Sequence, residues 1–224
     1  DQAVSDCWIK TELSSFNFEN GAGAAEAFTE DVFVSLFGSD LTGDGSEYFP
    51  FLTINYALEQ VYGDSLNPVT IHVDEGTYSP STNGEIFPLH MVGWVSLVGA
   101  GIELTLLDAD LTDRVIMMEY VDGVSITNLT IKNGDTGFYI FDSVFGLGGG
   151  LYLFNSNPQL TDLLISNNMA RGGGGISLFS SNPILTNVTI NYNSTDMWGG
   201  GIYCDESSPI LTNVMIWDNS SSSR

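Results

Sequence analysis

Gly148-Gly149-Gly150-Leu151-Tyr152-Leu153, Gly173-Gly174-Gly175-Ile176-Ser177-Leu178 and Gly199-Gly200-Gly201-Ile202-Tyr203-Cys204 open three successive units, 25 and 26 residues apart. Pro158, Pro183 and Pro209 keep those two spacings, as do Leu160, Leu185 and Leu211, and Asn168, Asn193 and Asn219. The shared pattern is GGG-[LI]-x-[LC]-x(4)-P-x-L-T-[DN]-[LV]-x-I-x-x-N. A fixed period of this length marks a stacked repeat architecture.

Within each unit the apolar residues alternate: Leu151 and Leu153, Ile176 and Leu178, Ile202 and Cys204, then Leu163 and Ile165, Val188 and Ile190, Val214 and Ile216. A period of two means strands with one buried face. A strand–helix–strand crossover needs about 30 residues or more, so the unit is too short for one. Short strands that pair with the next unit, about 4.8 Å away, remain. The expected fold is all-β, a right-handed single-stranded parallel β-helix (a solenoid).

The alternation slips at Thr161-Asp162, Thr186-Asn187 and Thr212-Asn213. Leu185 and Val188 both face inward only if the chain turns a corner between them. Asn and Asp tolerate left-handed backbone and suit that corner. Their side chains are placed to hydrogen-bond from coil to coil. The Gly triplets mark a second corner, where backbone approaches backbone. Val124, Ile126, Leu129 and Ile131 around Thr127-Asn128 repeat the corner signature one coil earlier, and residues 95–98 and 105–107 read as strands of the turn before. Residues 69–73 read as the first strand of the solenoid, with His72 pointing outward; His90 has no ligand-like partner at useful spacing.

Upstream, Ile54, Ala57, Leu58 and Val61 fall at i, i+3, i+4 and i+7, which predicts an amphipathic helix over residues 53–62. Gly63 stands where a C-cap glycine belongs. This helix is expected to cap the first coil, whose edge and core would otherwise be open.

The run Val34-Ser35-x-x-Gly38-Ser39-Asp40, Gly45-Ser46, Pro50-Phe51-x-Thr53-Ile54-x-x-Ala57-Leu58 and Ile71-x-Val73-x-x-Gly76-Thr77-Tyr78 resembles the amino-terminal signature of secreted pectate-lyase-like β-helix proteins. Many of these belong to a bacterial family of unknown function. The GGG-[LI] and Asn-rich repeats are similar to theirs, and more loosely to those of polymorphic outer-membrane proteins. The resemblance covers residues 32–219. It implies the fold and an extracellular or cell-surface setting, and little about activity, because the fold carries lyases, hydrolases, esterases, adhesins and passive scaffolds. The expected organisation is one domain: an amino-terminal arm over 1–31, a strand, loop and capping helix over 32–68, β-helix coils over 69–219 and a polar tail over 220–224.

Charge narrows the partners. Five basic residues against 28 acidic ones give a formal charge of −23. Nucleic acid is excluded, because its backbone needs Lys and Arg, and anionic membrane surfaces are excluded by the same sign. No run of 18 apolar residues is present, so no membrane insertion is expected. The chain begins at Asp1 rather than Met, which reads as a processed or excised chain. Cys7 and Cys204 could form one disulfide, but Cys204 holds a core position and reads as a buried free thiol.

A uronide lyase needs Ca²⁺ and a basic residue that removes the proton α to the carboxylate. The bases available are Lys10, Lys132, Arg114, Arg171 and Arg224. Arg114, with Asp108, Asp110, Asp113 and Glu119 nearby, is the catalytic candidate. Its structural alternative is an Arg in surface salt bridges, and Lys132 and Arg171 read as solvated turn residues. The Asn-x-Asp, Gly-His-Gly and Arg-x-Lys runs of polygalacturonase-like hydrolases are missing. Asp40-x-Thr42-x-Asp44-Gly45-Ser46 matches the first half of a calcium loop, but position twelve is Phe51 rather than Glu. Either Ca²⁺ or an ordinary turn explains it, and no cofactor is required. The segment Gly134 to Leu147 lengthens its coil by about nine residues and carries Phe138, Tyr139, Phe141 and Phe145. These rings either stack on sugars or fold back over the coil wall.

The function expected first is a non-enzymatic secreted or cell-surface scaffold, an adhesin or glycan-binding module for a polysaccharide or cell-surface glycan. A metal-assisted lyase on an anionic polysaccharide is the alternative, and a filament-forming or ice-binding protein the minor one. The third Gly-triplet unit is as regular as the two before it, and Ser220 to Arg224 cannot cover a core. Two expectations follow: a longer native chain, or end-to-end self-association through the last coil.

Overall fold

The computed structural model describes residues 30–137 and 146–222. They form a parallel β-solenoid. The first sheet stacks Val32–Val34, Val69–Val73, Val95–Gly99, Ser125–Lys132, Gln159–Ser166, Ile184–Asn191 and Ile210–Thr212. The second stacks Leu89–His90, Ile116–Glu119, Leu151–Phe154, Ile176–Phe179 and Ile202–Asp205, and the third Met169–Gly172, Ser194–Trp198 and Ser220–Ser221. All the pairings among these strands are parallel, each to a strand one coil away.

Register follows the repeat. Leu160 pairs with Ile126 and Leu185, and Leu153 with Met118 and Leu178. These six side chains are buried in one continuous core. The eight-residue strands of the first sheet bend at a left-handed residue: Asn128, Asp162 and Asn187 have φ of 58°, 51° and 55°. The ladder skips that residue and resumes with Leu163 against Leu129 and Val188, so both halves of the strand face inward. The corner Asn and Asp side chains form a ladder, with Asn187 Nδ2 donating to Asp162 Oδ1 (2.9 Å) and Asn213 Nδ2 to Asn187 Oδ1 (2.8 Å). Gly148, Gly173 and Gly199 are left-handed as well. A Cβ on the next residue, Gly149, would lie 2.5 Å from the Met169 carbonyl oxygen, so this corner closes on glycine alone.

Two further left-handed columns occur in each coil. One is Tyr120, Asn155, Ser180 and Glu206, the other Asn133, Asn167, Tyr192 and Asp218. Inside the second of these corners runs the buried Asn ladder. Asn168 Nδ2 donates to Asn193 Oδ1 (3.0 Å) and to the Ile131 carbonyl (3.1 Å), and Asn193 repeats this with Asn219 and Ile165. Ser156, Ser181 and Ser207 form a third ladder through backbone N–H to hydroxyl bonds.

Several expectations are corrected. The solenoid begins below residues 69–73, because Val32–Val34 pairs with Val69–Val73. The strand expected within residues 32–68 is thus the first rung of the solenoid itself. The helix runs Ile54–Gln60 with Thr53 as N-cap, and it buries Ile54, Ala57 and Leu58. Gly63 is not its left-handed cap, since Val61 already leaves the helix in extended conformation. A Cβ at Gly63 would meet the Trp94 carbonyl oxygen at 2.4 Å, which accounts for the glycine. Cys204 does continue the inward column of Leu153 and Leu178, yet it is exposed, because no described coil stacks beyond it. Cys7 lies outside the described residues. Ser220–Ser221, expected as tail, pair with Ser194 and Thr195. His72 does point outward, stacked on Phe33 and 3.1 Å from Asp31.

Candidate functional site

The proposed acid–base cluster separates into two groups. Asp108 takes an ion pair from Lys132 Nζ (3.1 Å) and a hydrogen bond from Asn133 Nδ2 (2.8 Å). Lys132 is therefore a paired strand residue rather than a solvated turn. Asp110 accepts from the Ser81 backbone N–H (3.0 Å) and lies below its ordinary pKa, held there by Ser81. Arg114 goes elsewhere. It is 4% exposed, which corrects the reading of a surface Arg. Its guanidinium carbon lies 4.9 Å from the centre of the Tyr152 ring, and Asp113 is 3.9 Å from its Nε. Burial pushes the guanidinium below its ordinary pKa, while Asp113, Tyr152 and Glu119 pull it back up. Of the four carboxylates read beside Arg114, Asp113 and Glu119 act on it, whereas Asp108 and Asp110 are engaged by Lys132 and Ser81. A cleft of about 250 Å³ opens beside it, lined by Leu111, Thr112, Asp113, Asp135, Thr136 and Gly137. Arg171, expected in a turn, lies in a third-sheet strand with Nε against Met197 Sδ.

Asp40, Thr42 and Asp44 are each held by the turn around them. Asp40 Oδ1 accepts from the Leu52 and Thr53 N–H groups, and its Oδ2 from the Thr53 hydroxyl, so it braces the entry to the helix. The Thr42 N–H donates to Ser39 Oγ, and Asp44 accepts from the Ser46 N–H. Among the described residues no group of three or more His, Cys, Asp or Glu is arranged to hold a metal ion. Phe138, Tyr139, Phe141 and Phe145 lie outside the described residues.

A different aromatic array stands on the outer face of the second sheet. Positions alternating with the core residues of each strand form two columns: one reads Glu119, Phe154, Phe179, Asp205, and its neighbour reads Met117, Tyr152, Ser177, Tyr203, of which Tyr152 and Ser177 are buried. Tyr120 packs edge-on to Phe154 (5.1 Å), Phe179 leans on Tyr203 (5.6 Å), and Tyr203 stacks with Trp198 (5.9 Å, 26° between planes). Tyr120 is 73% exposed and Trp198 52% exposed. The array crosses four coils, about 14 Å along the axis at 4.8 Å per coil.

A family model described as a right handed beta helix region matches residues 114–223, and one described as a protein of unknown function (DUF1565) matches residues 36–106. The chain is a right-handed β-helix repeat protein. No curated protein matches it. The first match ends within the Thr105–Asp108 strand and the second begins at Arg114, upstream of the aromatic array of this β-helix. Sequence reasoning missed the array while attending to the core columns. Its signal was present: Tyr152 and Tyr203, and Phe154 and Phe179, occupy equivalent x positions of the repeat. Each ring alone reads as ordinary surface variety. Only the one-coil register puts them side by side.

Proposed function

We propose that this β-helix is a secreted or cell-surface glycan-binding module, without catalysis, that holds an extended sugar chain along its aromatic array. The array of Tyr120, Phe154, Phe179, Tyr203 and Trp198 carries this reading. Aromatic faces offer large rigid apolar area next to polar tips, which suits the apolar face and hydroxyl rim of a pyranose. The parallel register sets Phe154 and Phe179 one above the other on successive coils, with Tyr120 flanking them below and Tyr203 and Trp198 above, a track that runs along the axis as a polymeric ligand requires. The test is titration calorimetry of the purified protein against a polysaccharide panel, with Phe179→Ala and Trp198→Ala as variants. Each variant is expected to bind about tenfold more weakly, a loss of about 1.4 kcal/mol, at an unchanged melting temperature. Absence of binding across the panel, or variants that bind like the parent, would overturn the reading. Release of unsaturated oligosaccharide would move it to a lyase.

A further inference from the structure

Resting on that reading, we infer that the ligand is an aminoglycan, a sugar chain carrying protonated amino groups. The aromatic column is bracketed by carboxylates: Glu119 stands in register below Phe154, and Asp205 above Phe179. Both are exposed, as is Glu206 beside Asp205. Little positive charge faces this wall: Arg171, half-buried in the third sheet beside the Trp198 end of the array, keeps its Nε against Met197 Sδ. Arg114 is buried beneath, against Tyr152, and Lys132 is engaged by Asp108. A uronate chain meets like charge here, within a molecule of formal charge −23. A neutral chain gains stacking but nothing from the acids. An ammonium sugar gains from both, because aromatic faces attract cations through the ring quadrupole and the bracketing carboxylates attract them by simple Coulomb energy.

The experiment compares three probes at low salt and a pH where the amines are protonated: a glucosamine oligosaccharide, its fully N-acetylated counterpart and an oligogalacturonate. The amine form is expected to bind about tenfold more tightly than the acetylated one, and this preference shrinks as salt rises. In the Glu119→Gln/Asp205→Asn/Glu206→Gln variant the preference disappears while acetylated binding persists. Equal affinity for the acetylated probe or the galacturonate overturns the inference. So does a preference that survives in the triple variant, which would be a polycation binding to the acidic surface at large. If no probe binds, or if Phe179→Ala leaves binding unchanged, the glycan reading itself fails.

Discussion

Asn193 shows how one side chain can tie three coils together. It is fully buried, accepts from the N–H and Nδ2 of Asn168, and donates to the Ile165 carbonyl. Asn193→Ala strands these groups in a dry interior, at about 1–3 kcal/mol for each one left unsatisfied. Urea unfolding should show that loss as a lower midpoint with an unchanged slope. At the neighbouring corner Asn187 is left-handed and only ladder-bonded at the surface. Asn187→Gly should therefore be nearly neutral, and Asn187→Val should lose about 1–2 kcal/mol. Equal losses for the two would remove backbone strain from the account of this corner. The Asn187 corner was legible because Asn and Asp advertise left-handed backbone. Tyr120, Ser180, Tyr192 and Glu206 take up the same conformation without advertising it, each at the equivalent point of its coil.

The capping helix depends on a residue far along the chain. Its first turn holds no acid, and Glu85 supplies one: Oε2 accepts from the Ile54 N–H (2.8 Å) and Oε1 from the Asn55 N–H (2.9 Å). Burial pushes the Glu85 carboxyl above its ordinary pKa, against the lowering effect of these two bonds. A pKa raised by folding means the folded state binds its proton more tightly than the unfolded state. The associated stability is present at low pH and is lost as pH rises from about 4.3 through the raised value. The difference in melting temperature between the parent and Glu85→Gln should therefore fall as pH is raised from about 4 to 7. A difference that grows with pH would mean that the two N–H bonds outweigh burial. The helix was readable from its own i, i+3, i+4, i+7 stripe. Its acceptor was not, because nothing in the local pattern points 31 residues ahead to Glu85.

The molecule as a whole is a column of layers that touch only their neighbours, with one apolar core running through it. A charge in that column has no escape route. Leu178, between Leu153 and Cys204, is 1% exposed, and Leu178→Asp should abolish cooperative unfolding near the parent's melting temperature by circular dichroism. An unchanged melting temperature would contradict the inward assignment. At this scale the fold was almost fully legible, since the period of 25 and 26 residues carried both the strands and the corners. The site was less so. Function was sought where the repeat breaks, at Arg114 and at the insert, whereas the aromatic array lies where the repeat is kept. The layered design also bears on how such a chain changes over time. Because each corner recurs at the same point of every layer, duplicating or deleting a 25-residue segment in the gene leaves both cut faces complementary. Copy number can then drift without refolding the rest. Each added layer lengthens the outward face of the solenoid and, on the glycan-binding proposal, the number of saccharide units gripped at once.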